Sequence, residues 1–329
     1  VRSIAFFNNK GGVGKTSLVY HLGWMYASRG LRVLVVDLDP QANLSAMFLD
    51  DERLVSLWDD GEKSTVVDSL QPLMERTGDI AAPHVEAVAG NLGLLPGNLS
   101  LSRFEDLLSE NWPNCLDGQA AAFRVTTAFH RVMRQAAAAM QAEIILIDVG
   151  PNLGAINRSA LIAAEQVVLP LAPDLFSLQG LRNLGPTLRE WRKGWQKRLG
   201  ELPASAGIDA PTGQMQPLGY VVMQHGVRDS RPVKAYQRWL DRIPQVYRKA
   251  VLDEQVTEAP MVEADPHCLA LLKHYRSLMP LAMDAHKPMF FLKPADGAIG
   301  AHVEAVRLCH DDFLKLAKRI ADESGFAVT

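Results

Sequence analysis

The chain has 329 residues, enough for one large α/β domain or two small ones. Hydrophobic residues make up 48% and charged residues 22%, which argues against disorder, and a net charge of −3 confines any nucleic-acid contact to a local patch. The three cysteines, Cys115, Cys268 and Cys309, are scattered and form no Cys-x-x-Cys pair, which argues against a disulfide framework, a zinc site or an iron–sulfur cluster and suits a reducing cytoplasm.

In chain order, IAFFN (4–8) reads as a buried strand. It runs into GGVGKTS (11–17) and a helix over 15–28, with Gly30 placed to close it. A strand, a glycine-rich loop and a helix make a phosphate site. Around Gly11, Gly12, Val13 and Gly14 the backbone N–H groups can converge on phosphate oxygens, and the helix N-terminus adds positive potential. Lys15 is expected to neutralise β- and γ-phosphates, and the Thr16 hydroxyl to ligate Mg²⁺. Such a loop needs one lysine, yet a second, Lys10, stands at its mouth. The next strand, RVLVVD (32–37), leads through DLDPQAN (37–43). Asp37 and Asp39 are expected to point to different sides, one backing the metal and one reaching toward the γ-phosphate.

Helices are expected over 64–77, 100–110 and 119–141, with a short strand LGLLPG (92–97) between the first two. EIILID (143–148) delivers Asp148 at the carboxyl end of a strand, where a carboxylate can hold Mg²⁺ through water. A helix over 155–165, the strand QVVLPL (166–171), a long helix over 177–198, an exposed loop over 201–217 and the strand LGYVVM (218–223) follow. The strands lack polar alternation, as expected for a parallel sheet covered on both faces. The fold class is therefore α/β, doubly wound and mostly parallel, with ligands at the carboxyl ends of the strands.

Two segments are basic. REWRKGWQKR (189–198) is one, and in 228–249 Arg231, Lys234, Arg238 and Arg242 recur at helical spacing, with Arg228 just before them. A stripe of this kind suits DNA phosphates without base readout. Trp191, Trp195 and Trp239 read as packing anchors. No apolar run approaches the roughly 18 residues of a membrane span, and no signal peptide precedes the phosphate loop.

These motifs resemble the ParA-type ATPases of the deviant Walker A class, a class shared with MinD-like proteins and nitrogenase iron protein. KGGVGKT (10–16) carries the class and DLDPQAN (37–43) the ParA branch; 147–181, LLPGN (94–98) and VTEAP (256–260) also match. The resemblance implies a single P-loop NTPase domain over 1–329. It implies that Lys10 reaches across a dimer interface to the partner's phosphates and that Asp39 orients the attacking water. Asp37 and Asp148 become the metal-side carboxylates, Thr16 the direct magnesium ligand and Ser17 a holder of the α-phosphate. It further implies a slow, partner-stimulated ATPase that uses ATP and Mg²⁺. Such a protein dimerises on ATP, binds DNA non-specifically, meets a ParB-like or cargo-adaptor protein, and works in the cytoplasm at the nucleoid. The chain departs from the family near 261–285, where an insertion with an extra helix over 267–283 is expected. His21 stands where many relatives carry Asn and reads as a hydrogen-bonded core residue. Two other readings remain: a MinD-like membrane-positioning ATPase, which the acidic tail 309–329 disfavours, and a cofactor-biosynthesis enzyme on the same scaffold.

Overall fold

The computed structural model describes every residue except 60–63, 226, 229–230, 233, 276 and 329; the side chains of Asp59 and of residues 224–236 lie outside that description. Eight strands form one sheet: β1 (Arg2–Phe6), β2 (Val33–Leu38), β3 (Glu86–Ala89), β4 (Leu92–Leu95), β5 (Ile144–Val149), β6 (Gln166–Leu171), β7 (Gln216–His225) and β8 (Cys268–Lys273). Their spatial order is β8-β7-β6-β1-β5-β2-β4-β3, and every pair is parallel except β3 with β4.

Alternation along each strand sorts side chains onto two cores, because successive residues point to opposite faces. Leu34, Val36, Ile145 and Ile147 join one cluster, and Val33, Val35, Ile144 and Leu146 the other. The first cluster is covered by helices that include α2 (Ala155–Ala163), α3 (Leu175–Gly200) and α4 (Ile243–Ala250). The second is covered by α1 (Lys15–Ser28), α5 (Leu278–Asp284) and α6 (Ala301–Ser324). This is the doubly wound sheet that the unbroken apolar runs imply.

Four sequence expectations change. The helix expected over 119–141 is two, Ala120–Thr126 and Ala128–Ala139, joined at Thr127. The extra helix expected over 267–283 holds only in its second half, as α5. Residues 268–273 extend instead and pair with β7, so the segment forms the edge of the sheet. Among 201–217, expected to be exposed, Pro211 and Met215 are buried: the Trp195 indole donates to the Pro211 carbonyl at 2.8 Å, and Arg192 donates to the Met215 carbonyl at 2.6 Å.

The fourth is the basic stripe, which does not lie on one helix. Arg231 is in a short strand, Arg231–Pro232, paired with Val227–Arg228; the helix spans Lys234–Leu240; Arg242 caps α4. Pro244 has no N–H to give a preceding turn and starts a new helix instead. The arginines of 189–198 are also committed to the fold. Arg189 donates to the Ala250 carbonyl, and Arg198 donates to the Trp112 carbonyl at 2.6 Å.

Candidate nucleotide site

The site forms where β1, β2 and β5 end. Asp37 and Asp148 are register partners on neighbouring strands and continue the face that α1 covers, so two carboxylates replace the apolar residues of that face at its carboxyl edge. Asp39 follows Asp37 by two residues, and two residues along an extended chain share a face. The expectation that they point to different sides is therefore corrected. The Asp39 N–H donates to Asp37 Oδ1 at 3.3 Å, and the charge of each acts on Asp148.

The three carboxylates are held differently. Asp37 is fully buried and accepts at Oδ2 from the Ser45 N–H and hydroxyl, each at 2.8 Å. Burial pushes its carboxyl up to about 6, with the Ser45 bonds opposing. Asp39 Oδ1 accepts from the Gln41 N–H at 3.0 Å. Asp148 is fully buried, and neither of its oxygens has a hydrogen-bond partner. Burial and then the Asp37 charge push its carboxyl up to about 8; Thr16 lies close enough to ease the charge without a well-formed bond. A buried, unpartnered carboxylate calls for a cation.

Gly12 (φ 72°) and Gly14 (φ 85°) adopt the left-handed conformation that a side chain disfavours, and a Cβ on Gly11 or Gly12 would meet nothing within 4 Å. That is open space above the backbone, as a phosphate cradle requires. Val13 is buried beneath it, and Lys15 and Thr16 open α1. Burial lowers the Lys15 pKa, while Asp148 and Asp39 oppose the shift. Among the described residues, no group of three His, Cys, Asp or Glu side chains is placed to hold a metal alone. The residues that could hold a metal here are the Thr16 hydroxyl and one or two of the carboxylates, with water and phosphate oxygens completing the shell, which is how Mg²⁺ is commonly held. The donor set therefore fits Mg²⁺ with a nucleotide polyphosphate.

Lys10 lies at the mouth of this loop but does not point into it. Its amine pairs with Asp174, the N-cap of α3. Ser17 lies on α1, where its hydroxyl approaches His21 Nδ1 at 3.4 Å. His21 is a core residue as expected: it is fully buried, bonds the Ser17 carbonyl through Nδ1 at 2.7 Å and accepts the Met289 N–H at Nε2 at 3.1 Å. Burial lowers its pKa to about 4, so the folded protein holds it neutral. Stability from this residue is complete above its ordinary 6.5 and is lost as pH falls toward 4. We expect about 3 kcal/mol of acid destabilisation from it, removed in His21→Asn, when urea melts at pH 7.5 and 4.5 are compared.

Of the expected DNA-facing residues, Arg238 and Arg242 are exposed and flank the Trp239 ring at 4.6 and 5.5 Å. The side chains of Arg228, Arg231 and Lys234 lie outside the described residues. Trp195 is fully buried and Trp191 nearly so, as expected of anchors.

Sequence reasoning missed four residues that build the site. Ser45 holds Asp37, and Gly97 leaves room for it: a Cβ on Gly97 would stand 2.8 Å from Asp37 Cγ. Asn157 donates to the Gly150 and Asn152 carbonyls, each at 2.7 Å, and so fixes the loop after Asp148. Asp174 engages Lys10. Gly97, inside LLPGN, and Asn157 and Asp174, inside 147–181, lay in stretches that resemble the family, whereas Ser45 lay outside them.

With this geometry in hand, comparison places the chain among known proteins. Residues 1–200 match the model of a family described as an AAA domain. Protein IncC of Escherichia coli is 30% identical over 64% of the chain and 52% of its own length. The chromosome-partitioning ATPase Soj of Thermus thermophilus is 32% identical over 60% of the chain and 66% of its own length. The match thus spans about half to two thirds of these relatives. A Cyanothece McdA variant solved with ATP superposes with a TM-score of 0.64 at 15% identity, covering 99% of this chain and 97% of that one, which is agreement in fold.

Proposed function

The chain belongs to the AAA domain family, within which it is of ParA type, and from that premise we propose that it is a nucleotide-switched positioning ATPase. Mg·ATP binds at the phosphate loop and two subunits close on their nucleotides. The dimer then binds DNA without regard to sequence, and slow hydrolysis, stimulated by a partner or cargo adaptor, resets it. The observation that carries this reading is the pair of buried carboxylates in register on β2 and β5, facing a glycine cradle with a buried lysine.

Roles follow from position. The cradle backbone, Lys15 and Ser17 hold the phosphates. Thr16 ligates Mg²⁺ directly, and Asp148 and Asp37 back it. Bound Mg²⁺ supplies charge neutralisation across the β- and γ-phosphates. Asp39 orients the attacking water. Lys10 serves the partner subunit's nucleotide. Exposed Arg238 and Arg242 contact DNA phosphates together with Arg228, Arg231 and Lys234. The protein acts in the cytoplasm, at the nucleoid. Its cargo is a plasmid, a chromosome region or a protein assembly.

Membrane positioning is less favoured. Among the described residues no helix is long and apolar enough to cross a membrane. Phe313, Leu316 and Ile320 of α6 are buried in the fold, and its exposed apolar residues Val303 and Leu308 make too small a patch to anchor a helix in a membrane surface.

Lys15→Ala tests the site. Calorimetry is expected to show loss of Mg·ATP affinity, because the cradle loses the charge facing the phosphates. Lys10→Ala is expected to keep that affinity yet fail to dimerise on a non-hydrolysable ATP analogue in light scattering. Near-normal affinity in Lys15→Ala would move the nucleotide elsewhere.

A further inference from the structure

Lys10 is tethered within its own subunit. Its backbone N–H donates to Asn8 Oδ1 at 3.0 Å, and Asn8 Nδ2 in turn donates to the Pro170 carbonyl of β6 at 2.7 Å. A Cβ on Gly180 of α3 would stand 2.8 Å from Asn9 Oδ1, so the loop mouth packs tightly on that helix. Asp174 divides its carboxylate between two tasks. Oδ1 accepts the Ser177 N–H at 2.8 Å and caps α3, while Oδ2 takes the Lys10 ammonium. Phe176, 72% exposed, places its ring 5.8 Å from the same nitrogen. The ammonium therefore rests against the start of α3, between Asp174 and Phe176.

We propose that Asp174 is the positioning residue for Lys10: it parks the lysine on α3 in the lone subunit, and dimerisation on ATP exchanges that carboxylate for the partner's phosphates. This rests on the reading above, in which Lys10 acts across the interface. The exposure of the pair suits an exchangeable contact, since its side chains are 30% and 34% accessible. Ion pairs this open change an equilibrium by about fivefold at most. A nucleotide phosphate, with more negative charge than one carboxylate, can displace it. Parking also keeps an unpaired cation off a surface that is to meet an identical copy of itself, where two like charges would repel. Partial burial raises the Asp174 carboxyl, but the Lys10 and Ser177 bonds outweigh it and hold it below the usual range, so it is ionised at neutral pH.

Asn and Ser cap helices as Asp does, so Asp174→Asn and Asp174→Ser remove the charge and keep the start of α3. Light scattering over a dilution series, with Mg²⁺ and a non-hydrolysable ATP analogue, reads dimerisation. Calorimetry on a Lys10→Ala background reads nucleotide affinity of the subunit. Because a symmetric dimer releases two such pairs, both variants are expected to dimerise at about three- to tenfold lower protein concentration than wild type. Nucleotide affinity should not change, and the gain should fade at high salt. A purely structural role for Asp174 would give no salt-dependent gain in dimerisation. Variants that dimerise like wild type, while Lys10→Ala alone does not dimerise, would overturn the parking role and leave the reading of Lys10 intact. Weaker dimerisation of both variants would overturn it too, by placing Asp174 in service of the dimer. Normal dimerisation by Lys10→Ala would defeat the underlying reading, and the proposal with it.

Discussion

Asp148→Asn is expected to make the nucleotide-free protein more stable and to remove the Mg²⁺-dependent ATP hydrolysis proposed above. Asp148 is fully buried with both oxygens unpartnered, and its carboxyl is pushed up from 3.8 to about 8. Between those values the folded protein holds a proton that the unfolded chain has released. Stability from this group is therefore complete below pH 3.8 and is lost as pH rises through 8. Asn has the same shape and no charge to bury. At pH 8 the variant should gain about 2–4 kcal/mol in urea melts, and at pH 4 the gain should nearly disappear. Hydrolysis should fall by at least about a hundredfold, because the metal loses a charged partner. A variant less stable than wild type at pH 8 would mean that the folded protein already satisfies this carboxylate without a cation.

Gly97→Ala should do the reverse and damage fold and site together. The added methyl would stand 2.8 Å from Asp37 Cγ and 3.0 Å from Oδ2, the oxygen that Ser45 holds. Gly97 cannot retreat freely. Its N–H donates to Ser45 Oγ at 2.9 Å, and its carbonyl accepts the Trp58 indole at 3.2 Å. Overpacking in a buried site costs about 1–3 kcal/mol. The cost should appear in urea melts, together with weaker Mg²⁺ dependence of nucleotide binding as Asp37 is displaced. Unchanged melting would show that the loop after β4 can move aside.

The fold was legible where one physical signal dominated. Apolar runs that lack alternation marked β1, β2, β5 and β6, because both faces of a central strand are buried. The edges were harder. β3 (EAVA) is half-exposed and antiparallel, with no apolar run to announce it. β8 (CLALLK) has a run that periodicity alone cannot separate from a short buried helix, and sheet pairing decided it. The phosphate loop was readable because its chemistry is local: Gly12, Gly14, Lys15 and Thr16 act through adjacent backbone. The roles of Ser45, Gly97 and Asp174 were not, since each acts on a residue outside its own motif. The basic stripe misled because spacing says nothing of Pro244, which ends one helix and begins another.

The place of β1 in the sheet has a consequence for biosynthesis. Residues 2–6 pair with 144–148 on one side, and Ile4–Phe6 pair with 166–168 on the other. As the chain is made, β1 thus has neither neighbour until well over a hundred further residues have followed it, which at 5–20 residues per second is roughly 10–30 s. Through that interval the strand that leads into the glycine loop stays unpaired, and its apolar run is a target for chaperones. The nucleotide cannot act as an early folding template, because its carboxylate partner Asp148 emerges just before β5 closes. On the reading proposed above, ATP binding would therefore wait, with the pairing of β1, until β5 has been made.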